Sequence, residues 1–456
     1  MAVTQWRSRT NVTPRMPLLK KLFWLYFLLL IFEGALRKWV LPQLSAPLLV
    51  VRDPVAFFII WEAYRTHKWP RQWSAVVGIL AAGILTLCFI QMVAGENPWF
   101  VALYGLRSYL LPFPVAFIMG ENLDEEDLRK FGLCTLWLLL PLTALEVAQY
   151  SAEPGSWLNA GAYTGGGQLG YVTGHVRASA TFSYVTGPML YMPLAAAFIF
   201  YGMAQPRFAK KWLLWAASSA LILAIPVIGS RTLVFELAAI MACVGAAALF
   251  GVSQFVKSLR IIVAVLLVSL LVSRLPVFSE ATDTLLTRFS AASGNEGNAE
   301  QSLMLRVAGP VTKTIESSTS ENNWLGLGMG YGANAISTLL TGTQLFLAGE
   351  DEFPRVINEF GVPAGFAFML FRWLLELMIV AKALSRVREH QPLAWLLVPL
   401  TFSTLVVGVL EQPTAQGFMV IGVAFSLAAL RLAPVPIESA PAPSLRVRQA
   451  RHNLRA

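Results

Sequence analysis

Trp73-Ser-Ala-Val-Val-Gly-Ile-Leu-Ala-Ala-Gly-Ile-Leu-Thr-Leu-Cys-Phe-Ile-Gln-Met-Val93 runs without a single charged side chain. About 20 apolar residues in a helix match roughly 30 Å of hydrocarbon. Eleven other stretches read the same way, near 22–36, 46–64, 99–119, 131–150, 183–203, 212–229, 232–250, 261–275, 361–381, 394–411 and 416–432. The 456 residues are 56% hydrophobic and 13% charged, whereas an ordinary soluble domain has about 25% charged residues. The fold class expected is an all-α polytopic membrane protein with about 12 transmembrane helices.

The net charge is +9, and its placement is more informative than its size. Segments that alternate to one side of the spans, from Met1–Lys21 to the tail beginning at Arg431, hold 23 of the 35 Lys and Arg residues. Short loops rich in Lys and Arg stay cytoplasmic, so both termini are expected inside. This divides the chain into a cytoplasmic segment at 1–21, a transmembrane domain at 22–432 and a basic cytoplasmic tail at 433–456. The tail suits contact with anionic lipid better than nucleic acid. The first apolar run lacks the small-residue cleavage site of a secretory signal. Cys88, Cys134 and Cys243 fall inside spans, and no Cys/His spacing suits a metal; neither metal nor cofactor is expected.

Two extracytoplasmic loops are expected, at about 151–181 and 276–360. The first is rich in glycine. The second has about 85 residues, far longer than the usual 4–6-residue connection, and loops of that length commonly carry function. Within it, Leu303, Val307, Val311 and Ile315 recur every four residues, which suits a short amphipathic helix. Gly326-Leu-Gly-Met-Gly-Tyr-Gly332 reads as a tight turn; it lacks the Lys-Ser/Thr of a phosphate-binding loop. Pro354 suits the first turn of a helix, with a bend expected at Gly361–Gly365. On that helix Arg355, Asn358, Glu359 and Val362 share a face.

Charges within or beside spans are costly and mark candidate sites. Glu33 and Arg37 are four apart, as are Arg372 and Glu376, and both couples are expected to pair. Arg52 and Asp53 are adjacent and need partners elsewhere. Arg107 lies in mid-span, either paired with a distant carboxylate or at the floor of a cavity. Arg177, Arg231, Arg274, Arg288, Arg306, Lys313 and Arg355 map to the outer side, where positive charge is normally depleted. Taken together they suit an anion, and guanidinium forks suit phosphate. Glu350, Asp351, Glu352 and Glu359 stand near Arg355, either as a solvated acidic face or with one of them as a general base.

Four segments, in order, resemble the bacterial O-antigen ligase and Wzy-type polysaccharide polymerase family. Arg177-Ala-Ser-Ala-Thr-Phe-Ser183 resembles the family's Arg-x-x-Gly-Thr-Phe at the start of a span. Gly229-Ser-Arg-Thr232 resembles its Ser-Arg at an outer helix end. Arg306, followed by Leu325-Gly-Leu-Gly-Met-Gly330, resembles its Arg, helix and Gly-x-Gly turn. Glu359-Phe-Gly-Val-Pro-Ala-Gly365 resembles its Glu-x-Gly-x-x-Gly. Ligases of the family tend to carry a His where this chain has Glu350, which favours a polymerase. The resemblance implies a GT-C-like enzyme of the bacterial inner membrane, with its active site on the periplasmic side. It would polymerise oligosaccharide repeats carried on undecaprenyl pyrophosphate, without a metal. Arg177, Arg231, Arg306 and Arg355 would hold the pyrophosphate, and Glu352, Glu359 or Glu350 would be the base. Partners would be the lipid-linked oligosaccharide, the bilayer, a chain-length regulator and other polysaccharide assembly proteins, with no nucleic acid. The alternatives are ligase-type transfer of finished glycan to an acceptor, or a lipid-linked oligosaccharide flippase or transporter.

Overall fold

A computed structural model of the protein describes residues 17–95, 97–162, 174–249, 279–283, 285–287, 309, 324–342, 347–349 and 351–433. The expected span at 261–275, the amphipathic stretch from Leu303 to Ile315, Arg274, Arg288, Arg306, Lys313, Glu350 and the basic tail lie outside the described residues. Every described element is helical. In chain order these are α1 (Leu18–Ala35), α2 (Ser45–Leu48), α3 (Arg52–Arg65), α4 (Ser74–Val93), α5 (Trp99–Leu110), α6 (Pro112–Asn122), α7 (Glu125–Ser151) and α8 (Thr186–Ala204). There follow α9 (Lys211–Ile228), α10 (Arg231–Leu249), α11 (Asn334–Thr341), α12 (Glu352–Phe360), α13 (Val362–Arg388), α14 (Leu393–Phe402) and α15 (Pro413–Ala429).

A helix falls on each of the eleven expected spans within the described residues. Seven are long and apolar enough to cross a membrane, with α5 and α6 counted together. The pair Pro42–Leu48 and Arg52–Arg65, bent by 40°, is an eighth if read as one span. The expected number was larger for two reasons. α1 carries Lys20, Lys21 and Glu33 within 18 residues. α14, even with the turn that extends it to Val407, and α15 are apolar but short.

Local chemistry sets the helix ends. α7 opens with a capping box, in which Asp127 N–H donates to Asp124 (2.9 Å) and Asp124 N–H to Asp127 (3.1 Å). α9 stops where Gly229 turns left-handed, at φ 57°. The core is built around α8, which is almost wholly buried. It packs against α7, α9, α10, α14 and α15, and α15 also lies along α6. α4 is the opposite case. It keeps Ile79, Phe89 and Val93 exposed, as a helix facing lipid does.

α14 ends in a wide turn, Ser403–Val407, that departs from α geometry. Its freed carbonyls lie in an apolar region, where an unpaired backbone group costs several kcal/mol. Arg372 of α13 satisfies them. Its guanidinium donates to Leu405 O (2.6 Å), Thr404 O (3.3 Å) and Gly408 O (2.8 Å), and it pairs with Glu352. The expected Arg372–Glu376 pair therefore does not form. Three carbonyls and a carboxylate offer more acceptors than one carboxylate a turn away, and Glu376 instead accepts from the Thr401 hydroxyl (3.0 Å). The other expectations on buried charge fare differently. Glu33 and Arg37 do pair (3.5 Å), Arg52 joins Glu33 (3.1 Å), and Arg107 reaches Asp53 on α3.

Replacing Arg372 by Met strands Glu352 and three carbonyls. We expect a loss of about 3–5 kcal/mol, read as a lowered unfolding midpoint of the detergent-solubilised protein. Arg372→Lys, with a single point charge in place of the fork, should recover only part of it.

Candidate functional site

α12 is short and held on all sides. Asp351 precedes it, Pro354 lies in its first turn, and Gly361 ends it at φ 78°. Helical spacing puts Arg355 and Glu359 on one face, as the sequence suggests. Against that face lies the glycine turn, with positive φ at Gly326, Gly328 and Gly330. Gly330 has no substitute, because a Cβ there would collide with the Val101 carbonyl of α5. Gln91, buried at the end of α4, clamps the turn. Its Nε2 donates to Leu325 O (2.6 Å) and Glu359 O (2.7 Å), and its Oε1 accepts from Met329 N–H (3.1 Å). Leu327 N–H donates to Asn358 O (2.7 Å), and Gly332 N–H donates to the Glu359 carboxylate. The turn and α12 therefore act as one unit.

Arg355 is 1% exposed and stands among three carboxylates. It pairs with Glu352, lies 3.5 Å from Glu359 and 2.9 Å from Glu411, and donates to Tyr109 Oη (2.7 Å). Tyr109 in turn donates to Glu359. Burial pushes the Glu359 carboxyl above its ordinary value, against the pull of Arg355. Burial also pushes Glu411 well up, and the neighbouring Glu359 adds to the effect. Neither Glu411 oxygen accepts an aligned hydrogen bond, although both are buried. Arg355 Nε is unpartnered in the same way.

Of these groups Arg355 and Glu411 line a cavity of about 150 Å³. Gly332–Ala335, Arg355 and the segment Val409–Thr414 with Glu411 line it on one side. Glu33, Arg37, Tyr104, Ser183 and Thr186 line it from other elements. Arg37 is 2% exposed and anchored: Nε donates to Ser45 O (2.8 Å), Nη1 to Ser183 Oγ (2.9 Å) and Nη2 to Ala162 O (3.2 Å). The cavity is thus a pocket of balanced charge, walled by residues from α1, α5, α8, α11 and α12 and the loop before α15.

Of the candidate residues, Arg355 lines the cavity, and Glu359 lies 3.5 Å from Arg355 without lining the cavity. Glu352 stands beside them but does not line the cavity, and both of its oxygens are held by Arg355 and Arg372. Arg177 and Arg231 do not line it either. They flank a separate small cluster in which Ala178 meets Tyr150, Val227 and Ala281. Arg177 Nε is buried without a partner, and Arg231 opens α10 just after Gly229. Beside Arg177, His175 stacks on Tyr150 and faces Glu280 (2.9 Å) and Tyr150 O (3.1 Å). Its hydrogen bond to Glu280 raises its pKa. The segment from Arg177 runs on to Ser183 and Thr186 in the cavity wall, so the two regions are joined by one short stretch of chain. Arg306 and Glu350 lie outside the described residues. Among those described, no group of three His, Cys, Asp or Glu side chains could hold a metal ion.

Sequence reasoning missed Glu411. The available signal was a carboxylate at the very end of the apolar stretch 394–411. Tyr109 gave none, since a tyrosine in an apolar helix reads as core. No family model, curated protein or solved structure matches the chain.

The Arg177–Ser183 segment is held in a strained shape. Ala180 sits at φ 46°, a region that costs an L-residue other than glycine about 1–2 kcal/mol. Gln149 fixes it by accepting from Ser179 N–H (3.2 Å) and Ala180 N–H (2.8 Å), and Lys38 donates to Ala180 O (2.7 Å). Ala180→Gly removes this strain but adds about 0.4–1 kcal/mol of unfolded-chain freedom. We therefore expect an unfolding midpoint unchanged or raised in Ala180→Gly, and lowered in Ala180→Val.

Proposed function

We propose that the protein is a membrane glycosyltransferase that polymerises oligosaccharide repeats carried on undecaprenyl pyrophosphate. The observation that carries this reading is Glu411, a buried carboxyl that is ion-paired to Arg355 (2.9 Å) but accepts no aligned hydrogen bond, in an arginine-walled cavity beside the glycine turn. A general base needs a lone pair turned to the substrate and a pKa raised from the ordinary carboxylate value; Glu411 lines the cavity, and burial raises its pKa. The four segments of the polymerase-like pattern add support. They fall on backbone that only special conformations allow: Ala180 at φ 46°, Gly229 at φ 57°, the glycine turn, and Gly361 at φ 78°. In this reading the chain has about 12 spans in a GT-C-like arrangement in the bacterial inner membrane. Both termini are cytoplasmic and the cavity faces the periplasm.

In the proposed reaction the acceptor sugar's hydroxyl oxygen attacks the anomeric carbon of the donor. The bond from that carbon to the pyrophosphate oxygen breaks, and its electron pair leaves with the lipid pyrophosphate. The hydroxyl proton passes to Glu411. Negative charge grows on the leaving phosphate oxygens, and arginines placed there lower the barrier. Arg177, Arg231 and Arg306 are the candidates for that task. Arg355 serves differently: its fork is spent on Glu352, Tyr109 and Glu411, so it positions the carboxylates. Glu359 ties Arg355 and Tyr109 to the glycine turn.

The test is purified protein in lipid nanodiscs, incubated with a lipid-pyrophosphate oligosaccharide and read as a ladder of products on a gel. A ladder is expected; a protein that yields nothing longer than the starting repeat is not a polymerase. Glu411→Gln should slow elongation by about 10²–10⁴. Because burial raises the Glu411 pKa and the base must be ionised, wild-type activity should fall as pH drops through a value above the ordinary carboxylate range. Residual activity in Glu411→Gln should lack that limb. Alanine at Arg177 or Arg231 should cost about 10²–10³ in rate.

A further inference from the structure

The polar groups of the cavity are unequally committed. Arg37 has all three guanidinium nitrogens engaged by internal acceptors, namely Ser45 O, Ser183 Oγ and Ala162 O. Arg355 has both terminal nitrogens engaged, by Tyr109 and Glu352. Neither arginine presents two free parallel N–H groups, the arrangement that binds a carboxylate or phosphate strongly. The ion pairs that back the wall are also balanced. Arg37, Arg52, Arg355 and Arg372 stand against Glu33, Glu352, Glu359 and Glu411, four of each sign. Among the charged groups that line the cavity, the two Glu411 oxygens accept no aligned hydrogen bond, although Arg355 ion-pairs with one of them (2.9 Å), and Arg355 Nε has no hydrogen-bond partner. Around them Thr186, Asn334, Gln412 and Thr414 bring hydroxyl and amide groups to the wall.

A ligand that satisfies this wall must donate hydrogen bonds to Glu411 and accept from neutral groups, without adding negative charge. A sugar hydroxyl, which is both donor and acceptor, meets that requirement. A cavity near 150 Å³ admits about one six-membered ring. The geometry points to this cavity as a subsite for a single uncharged pyranose, bound through hydroxyl hydrogen bonds to Glu411, which discriminates against acidic sugars and against pyrophosphate. The inference rests on the glycosyltransferase reading in one respect, that the ring is the terminal sugar of the acceptor. It follows that the repeat unit ends in a neutral sugar at its acceptor end, and that the pyrophosphate binds outside the cavity. A uronate would place its carboxylate against Glu411 and Glu33 with no free guanidinium fork to receive it.

Binding is measured by saturation-transfer NMR on the full-length protein in nanodiscs at neutral pH. The ligands are methyl glycosides of a neutral hexose and of the matching hexuronate, with inorganic pyrophosphate as competitor. We expect transfer to the neutral glycoside, binding of the uronate weaker by about tenfold or more, and no displacement of the neutral glycoside by pyrophosphate. Glu411→Gln, which keeps shape but loses charge, should weaken the neutral glycoside. Equal or tighter binding of the uronate overturns the inference. So does displacement by pyrophosphate, or absence of transfer to the neutral glycoside. The elongation assay separates this from the wider reading. A ladder formed equally well from repeats ending in uronate sinks the subsite and leaves the polymerase standing. Neutral-sugar binding at Glu411 with no ladder from any repeat sinks the polymerase and leaves the subsite.

Discussion

Charge buried away from water has to be compensated by the fold itself, and this protein concentrates that demand in one place. Arg355 and Arg372 are both almost fully buried, and Glu352 lies between them. An isolated buried ion costs several kcal/mol even after relaxation, so neither arginine tolerates the loss of its partners. The network therefore fixes three elements together: α12, which carries Glu352 and Arg355; α13, which carries Arg372; and the turn after α14, whose carbonyls Arg372 caps. The segment with Glu411 leads directly from that turn. The position of the Glu411 carboxyl thus depends on an ion-pair network of which Arg355 reaches the cavity wall while Glu352 and Arg372 do not.

The glycine turn adds a second constraint of another kind. It packs backbone against backbone, with Gly330 against α5 and Gly326 against the end of α12. Gln91 reaches across from α4 to hold both. A helix that mostly faces lipid thus contributes one side chain to the support of the site. Arg37 and Lys38 perform a similar service at the opposite wall. Arg37 ties the break after α1 to Ser183, and Lys38 ties it to Ser179 and Ala180. The cavity is consequently bounded by segments far apart in sequence that are tied to one another by hydrogen bonds.

Part of this was legible in the chain. Apolar length located the helices, because some twenty mostly apolar residues have few other solutions. Pro354, Gly361 and the spacing of Arg355 and Glu359 marked α12 and its charged face. The Gly326–Gly332 run marked a turn. Other features were not legible. Arg372 and Glu376 have helical spacing that suggests a pair, yet acceptors from a different helix end compete for Arg372 and win. Asp53 and Arg107 are 54 residues apart and meet only because α3 lies beside the α5–α6 unit. Arg177, Arg231 and Arg355 look alike as outer arginines, but one is locked among carboxylates and the other two flank a separate cluster.

The amino-acid sequence by itself determined that the chain is helical and suited to a bilayer, and roughly where its helices lie. Those properties depend on local composition, on proline and glycine, and on spacings within one helix. Only the tertiary structure decided which charges neutralise one another and which carboxyl is left facing the cavity. Ion pairing inside a low-dielectric core is settled by whichever acceptors the packing brings within reach, and their separation along the chain carries no record of that choice.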